Sequence, residues 1–69
     1  MNKFGERLRE LREDKKLSLM QLSKKVGISD TTLCRWENNK NDVKGEQLVV
    51  IATFFDVSTD YLLGLTDYE

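Results

Sequence analysis

Residues 18–39 constrain this chain more than any other stretch, because their pattern specifies two short helices joined by a tight turn. Ser18 is suited to cap a helix, and Gln21 three positions on completes a capping box, in which each residue satisfies a free N–H of the other. Leu19, Leu22 and Val26 then share one face at helical spacing. Gly27 ends the helix, since the residue just past a helix commonly takes a left-handed backbone that glycine reaches without steric cost. Ser29 caps a second helix with apolar positions at Leu33 and Trp36. Helices this short do not bury a core alone, so both must lean on the rest of the chain.

What the pair can present is a polar face. At about 100° per residue, Thr31, Arg35 and Asn38 fall together opposite Leu33, with Cys34 at the margin. That face donates, accepts and carries positive charge.

The flanking sequence supplies the helices these two must lean on. Phe4, Leu8 and Leu11 form an apolar stripe in an otherwise charged first segment, while Glu6, Arg9, Glu10 and Glu13 read as its solvated surface. Leu48, Ile51, Ala52 and Phe55 give a later helix a 3.6-residue period. Val49, Val50 and Phe54 are apolar residues that this one face cannot hold; they are assigned to a wider core, with a partner surface as the alternative. Ser58 caps a last short helix that Gly64 stops. The expected elements are helices near residues 2–14, 18–26, 29–38, 45–55 and 58–63 in a single all-α domain. In the last of them, helical spacing turns Tyr61 inward and leaves Leu62 facing out beside Thr59, a candidate contact between two copies; the alternative is that Leu62 is core.

The residues Leu22, Gly27, Ile28-Ser29, Leu33 and Trp36-Glu37-Asn38 resemble, in type and spacing, the helix-turn-helix of the lambda-repressor-like family, also called the Cro/C1 or Xre type. The run Asp56-Val57-Ser58-Thr59-Asp60-Tyr61-Leu62-Leu63-Gly64 is similar to that family's ending, so the resemblance covers nearly the whole chain. It implies a compact five-helix domain whose third, recognition helix lies in the DNA major groove. The partner it implies is a double-stranded DNA operator, palindromic and bound by a homodimer, in the service of transcriptional repression without a cofactor. It also implies an ion pair between Arg12 and Glu37, against the alternative of an ordinary surface arginine.

On this reading Thr31 and Arg35 contact bases, with Cys34 beside them. Arg35 is long enough to reach a guanine with two donors, and the Thr31 methyl can rest on a thymine methyl. Asp30 can accept from a cytosine amine, or merely satisfy the helix N-terminus. Phosphate contacts are expected from Ser18, Ser29, Thr32, Asn38, Lys40 and Lys44. The chain departs from the family at Leu19, where glutamine is common, and at Ser23, where alanine allows close approach. It departs again at Asn39 for glycine, Val43 for proline and Gly45 for an apolar residue. Asparagine is the next best occupant of a left-handed position.

A net charge of −1 over 69 residues conceals a segregation. All eleven Lys and Arg lie in residues 1–44 against seven acidic residues, a net of +4, whereas residues 45–69 hold five acidic residues and no basic one, a net of −5. One end can face phosphates while the other faces away.

Enzymatic chemistry is disfavoured, since the chain has no histidine, no phosphate-cradling glycine loop and too little length to enclose a pocket. The single cysteine supplies neither a metal site nor an internal disulfide. That cysteine usage, with no membrane-length apolar run and no signal-peptide core, gives the expectation of a cytoplasmic protein. The competing function is a protein-interaction module, antitoxin-like or partner-binding, with weak or no specific DNA binding.

Overall fold

The computed structural model describes residues 3–40 and 42–69. Five helices run in order: α1 (Phe4–Asp14), α2 (Leu19–Val26), α3 (Asp30–Glu37), α4 (Gly45–Phe55) and α5 (Thr59–Leu63). The expected start of the first helix at Asn2 lies outside the described residues. Elsewhere the boundaries differ from expectation only where a capping residue had been counted as helix.

Local chemistry explains these ends. Ser18 Oγ accepts from the Gln21 N–H at 3.0 Å while Gln21 Oε1 accepts from the Ser18 N–H at 2.8 Å, completing the capping box. Ser29 and Ser58 accept from the N–H groups of Thr32 and Tyr61. Gly27 closes α2 at φ 72°, and Asn39 takes the left-handed position after α3 at φ 64°. Around Asn39 the chain forms a Schellman turn, with the Asn39 N–H on Trp36 O at 3.0 Å and the Lys40 N–H on Arg35 O at 2.9 Å. Lys16 and Asp56 occupy left-handed positions after α1 and α4; aspartate tolerates that region better than most residues, whereas lysine does not favour it. Gln47 Oε1 reaches back to the Lys44 N–H at 3.0 Å, which fixes the start of α4 without the family's proline.

The core is built from Phe4, Leu8, Leu11, Leu22, Leu33, Trp36, Ile51, Ala52, Phe55 and Leu62. Trp36, fully buried, is the largest of them and meets Phe4 at a ring separation of 5.7 Å. Helices α1 and α2 both pack on α3, α1 and α4 both meet α5, and α4 closes against α2. Every buried side-chain nitrogen and oxygen among the described residues has a hydrogen-bond partner.

Three expectations are corrected. Leu62 is not an outward anchor between copies: it is fully buried, while Tyr61 is only half-buried. The reason is Arg7, whose guanidinium lies 4.1 Å from the Tyr61 ring centroid and donates to Tyr61 O and Thr66 O at 2.6 Å each. A tyrosine suits that polar boundary, and the wholly apolar Leu62 takes the interior. Thr59, its expected companion at the interface, is half-buried. Val49 and Val50 do not widen the core but stand 55% and 41% exposed, leaving only Phe54 packed against it. Arg7 itself was not expected inside, yet it is 8% exposed and ties α1 to the chain beyond α5, adding an ion pair to Asp67 at 2.9 Å.

Candidate nucleic-acid interface

Helix α3 is anchored by one face and free on the other. Leu33, Trp36 and Glu37 are buried, whereas Asp30, Thr31, Cys34, Arg35 and Asn38 are exposed and Thr32 is half-buried. The anchoring includes charge. Glu37, its side chain 2% exposed, takes two hydrogen bonds from Arg12, Nε to Oε2 at 2.7 Å and Nη2 to Oε1 at 3.0 Å. Arg12 also donates Nη1 to Leu17 O at 2.8 Å, and Arg9 approaches Glu37 at 3.3 Å. The hydrogen bond to Glu37 raises the Arg12 pKa above its already high ordinary value, against the opposing push of burial. The pair couples α1 to the end of α3 through charge-assisted bonds with forked geometry.

Close approach of backbone holds the same junction. A Cβ at Gly5 would collide with the carbonyl oxygen of Trp36 and come within 2.9 Å of Asn39 Oδ1 and 3.2 Å of Glu37 O. Glycine therefore lets α1 rest directly on the end of α3.

At the exposed face, Asp30 Oδ1 accepts from the Thr31 N–H at 2.9 Å, so this carboxylate satisfies the start of its own helix. Ser29 Oγ donates to Thr32 Oγ1 at 2.8 Å. Asn38 Nδ2 donates to Cys34 O at 2.8 Å and approaches Cys34 Sγ at 3.5 Å. Arg35 lies with half its side chain in solvent and pairs through Nη2 with Asp42 Oδ2 at 2.9 Å. The other oxygen of Asp42 accepts from the buried Trp36 Nε1 at 2.9 Å. Ser18, Lys40 and Lys44 are exposed around this surface's flanking segments.

Sequence reasoning gave Asp42 no role. The available signal was Trp36, whose indole N–H requires an acceptor once buried.

A family model described as a helix-turn-helix domain matches residues 5–67. The chain belongs to this helix-turn-helix family. Over 64 residues it is 42% identical to an uncharacterized HTH-type transcriptional regulator of Bacillus subtilis (strain 168), YobD, covering 93% of this chain and 57% of that protein. Over 60 residues it is 36% identical to repressor protein C2 of Salmonella phage P22, covering 87% of this chain and 28% of that one. The chain thus spans little more than half the length of the first relative and under a third of the second.

Solved structures agree on the fold. The P22 c2 repressor protein in complex with synthetic operator 9T matches with a TM-score of 0.81 at 35% identity, covering 87% of this chain and 91% of that one. The N-terminal DNA-binding domain of SinR from Bacillus subtilis matches with a TM-score of 0.77 at 31% identity, covering 88% and 90%. The helix-turn-helix domain is therefore of the lambda-repressor-like, Cro/C1 type, with α2 and α3 forming the motif.

Proposed function

We propose that this helix-turn-helix domain is the DNA-reading part of a transcriptional repressor, which inserts α3 into the major groove of a palindromic operator as a homodimer. The observation that carries the reading is the division of α3. One face is locked by Trp36 and the Arg12–Glu37 pair, and the opposite face offers Asp30, Thr31, Cys34 and Arg35 to solvent. A rigid helix with donors and a methyl aimed outward is what direct readout of base edges requires.

In this account Arg35 donates to a guanine and Thr31 packs on a thymine methyl. Cys34 lies between them, and Asp30 penalises sites that present no amine to it. Ser18, Ser29, Thr32, Asn38, Lys40 and Lys44 hold the phosphates on either side. Leu62 has no part in the contact between the two copies.

The exposed Val49 and Val50 on α4 favour a second reading, a module that binds a protein partner. A salt series separates the two. With Lys40 and Lys44 each neutralising one phosphate, log affinity for DNA falls against log salt with a slope of about −2 per copy and about −4 per dimer. A slope near zero contradicts the DNA-binding account.

A further inference from the structure

We propose that Asp42 is a specificity-determining positioning residue: held by the Trp36 indole, its carboxylate fixes the Arg35 guanidinium so that Arg35 reads one base pair instead of roaming among phosphates. The proposal rests on the reading above that Arg35 contacts bases.

Asp42 stands outside the recognition helix but is built onto its end. The Schellman turn returns the chain against α3 through Lys40 N–H on Arg35 O at 2.9 Å, and the Asp42 N–H then bonds Lys40 O at 3.0 Å. Trp36 is wholly buried, and the bond from its Nε1 to Asp42 Oδ1 sets where the carboxylate lies. Oδ2 is thereby presented to Arg35 Nη2 at 2.9 Å. The relay runs from the core, through the indole and the acid, to the outward arginine.

Two physical consequences follow for recognition. A guanidinium has five N–H donors, so one spent on Asp42 leaves enough for a two-donor contact with guanine O6 and N7. The rotamer freedom that Arg35 would lose on binding a base is already restricted before DNA arrives. The second consequence is discrimination. If Arg35 swings to a phosphate at a wrong site, it leaves the Asp42 charge unpaired beside the DNA backbone, a penalty that falls on wrong sites alone.

Asp42→Asn tests this, because it retains an oxygen for the Trp36 indole and removes the charge that holds Arg35. Operators are selected from random DNA with the unaltered chain. Affinities are then measured on the selected site, its single-base-pair variants and random-sequence DNA, for the unaltered chain, Asp42→Asn, Arg35→Ala and the double variant. Circular dichroism checks that each is folded.

At the base pair that Arg35→Ala relaxes, Asp42→Asn is expected to lower discrimination by up to about fivefold, the upper end of what an exposed ion pair supplies. Affinity for random-sequence DNA rises, and its salt slope steepens by about one unit as Arg35 reaches a phosphate. On the Arg35→Ala background Asp42→Asn changes nothing further at that base pair; a merely structural loss would appear there equally, and seeing it overturns the proposal. Unchanged discrimination in Asp42→Asn, with Arg35→Ala still relaxing one base pair, overturns the positioning role alone. If Arg35→Ala relaxes no base pair, the base-reading role and this proposal fall together.

Discussion

Glu37 and Arg12 are joined by two hydrogen bonds, of 2.7 and 3.0 Å, in a setting where the carboxylate is 2% and the guanidinium side chain 14% exposed. Removing one member leaves the other charged and largely shielded from water, so Arg12→Met and Glu37→Gln are each expected to cost about 3 kcal/mol or more of stability. The double variant should lose less than the sum, and a double-mutant cycle in urea measures the difference; additive losses contradict the coupling. Because the folded Arg12 pKa is raised, its contribution is fully present below the unfolded value and lost only as pH climbs past the folded one. The stability difference between Arg12→Met and the unaltered chain should therefore stay constant from neutral to moderately alkaline pH.

Gly5→Ala provides a test in which helix propensity and packing predict opposite signs. Alanine is favoured over glycine inside a helix by about 1 kcal/mol. At this position the added methyl meets backbone carbonyls of Trp36 and Glu37, which cannot turn aside as a side chain would. Overpacking of this kind costs about 1 to 3 kcal/mol. The melting temperature should fall; a rise would show that α1 does not rest on the end of α3 as described.

Leu62→Lys is expected to unfold the domain, not to yield a folded monomer, since it places an unpaired charge in the core. The milder Leu62→Ala should cost about 2 to 5 kcal/mol in chemical denaturation. A folded Leu62→Lys chain with native circular dichroism would return Leu62 to the surface.

Lys16 takes a left-handed conformation at φ 57°, which costs a side-chain-bearing residue on the order of 1 kcal/mol. Lys16→Gly should therefore stabilise, by up to about that amount. Asn39→Gly should gain less, because asparagine tolerates the same region better. Thermal melts order the two, and a destabilised Lys16→Gly contradicts the strain.

These residues also show which features were legible in the sequence. Capping is local chemistry, so Ser18 with Gln21, Ser29, Ser58, Gly27 and Gly64 announced the helix ends directly. The apolar periods of Phe4, Leu8 and Leu11 and of Ile51, Ala52 and Phe55 gave the core. Arg7 was hidden by its residue type, although it sits three positions after Phe4 and four before Leu11 on the buried stripe. Its burial depends on carbonyls of Tyr61 and Thr66, more than fifty residues away. Leu62 was misplaced because a five-residue helix is too short for periodicity to fix its phase. The left-handed Lys16 was missed because turn geometry overrode residue preference. At the interface, the outward set on α3 followed from helical angle alone, but the Arg35 partner lies in a loop that no period describes.

The central claim is that α3 reads DNA through Arg35, and one comparison tests it most directly: operator selection from random DNA with the unaltered chain and with Arg35→Ala, followed by affinities on the selected site. The account predicts that Arg35→Ala loses about 1 to 3 kcal/mol on that site and relaxes preference at one base pair. Lys40→Ala should instead weaken all sequences alike and flatten the salt slope by about one unit. A consensus unchanged at every position in Arg35→Ala would contradict the claim.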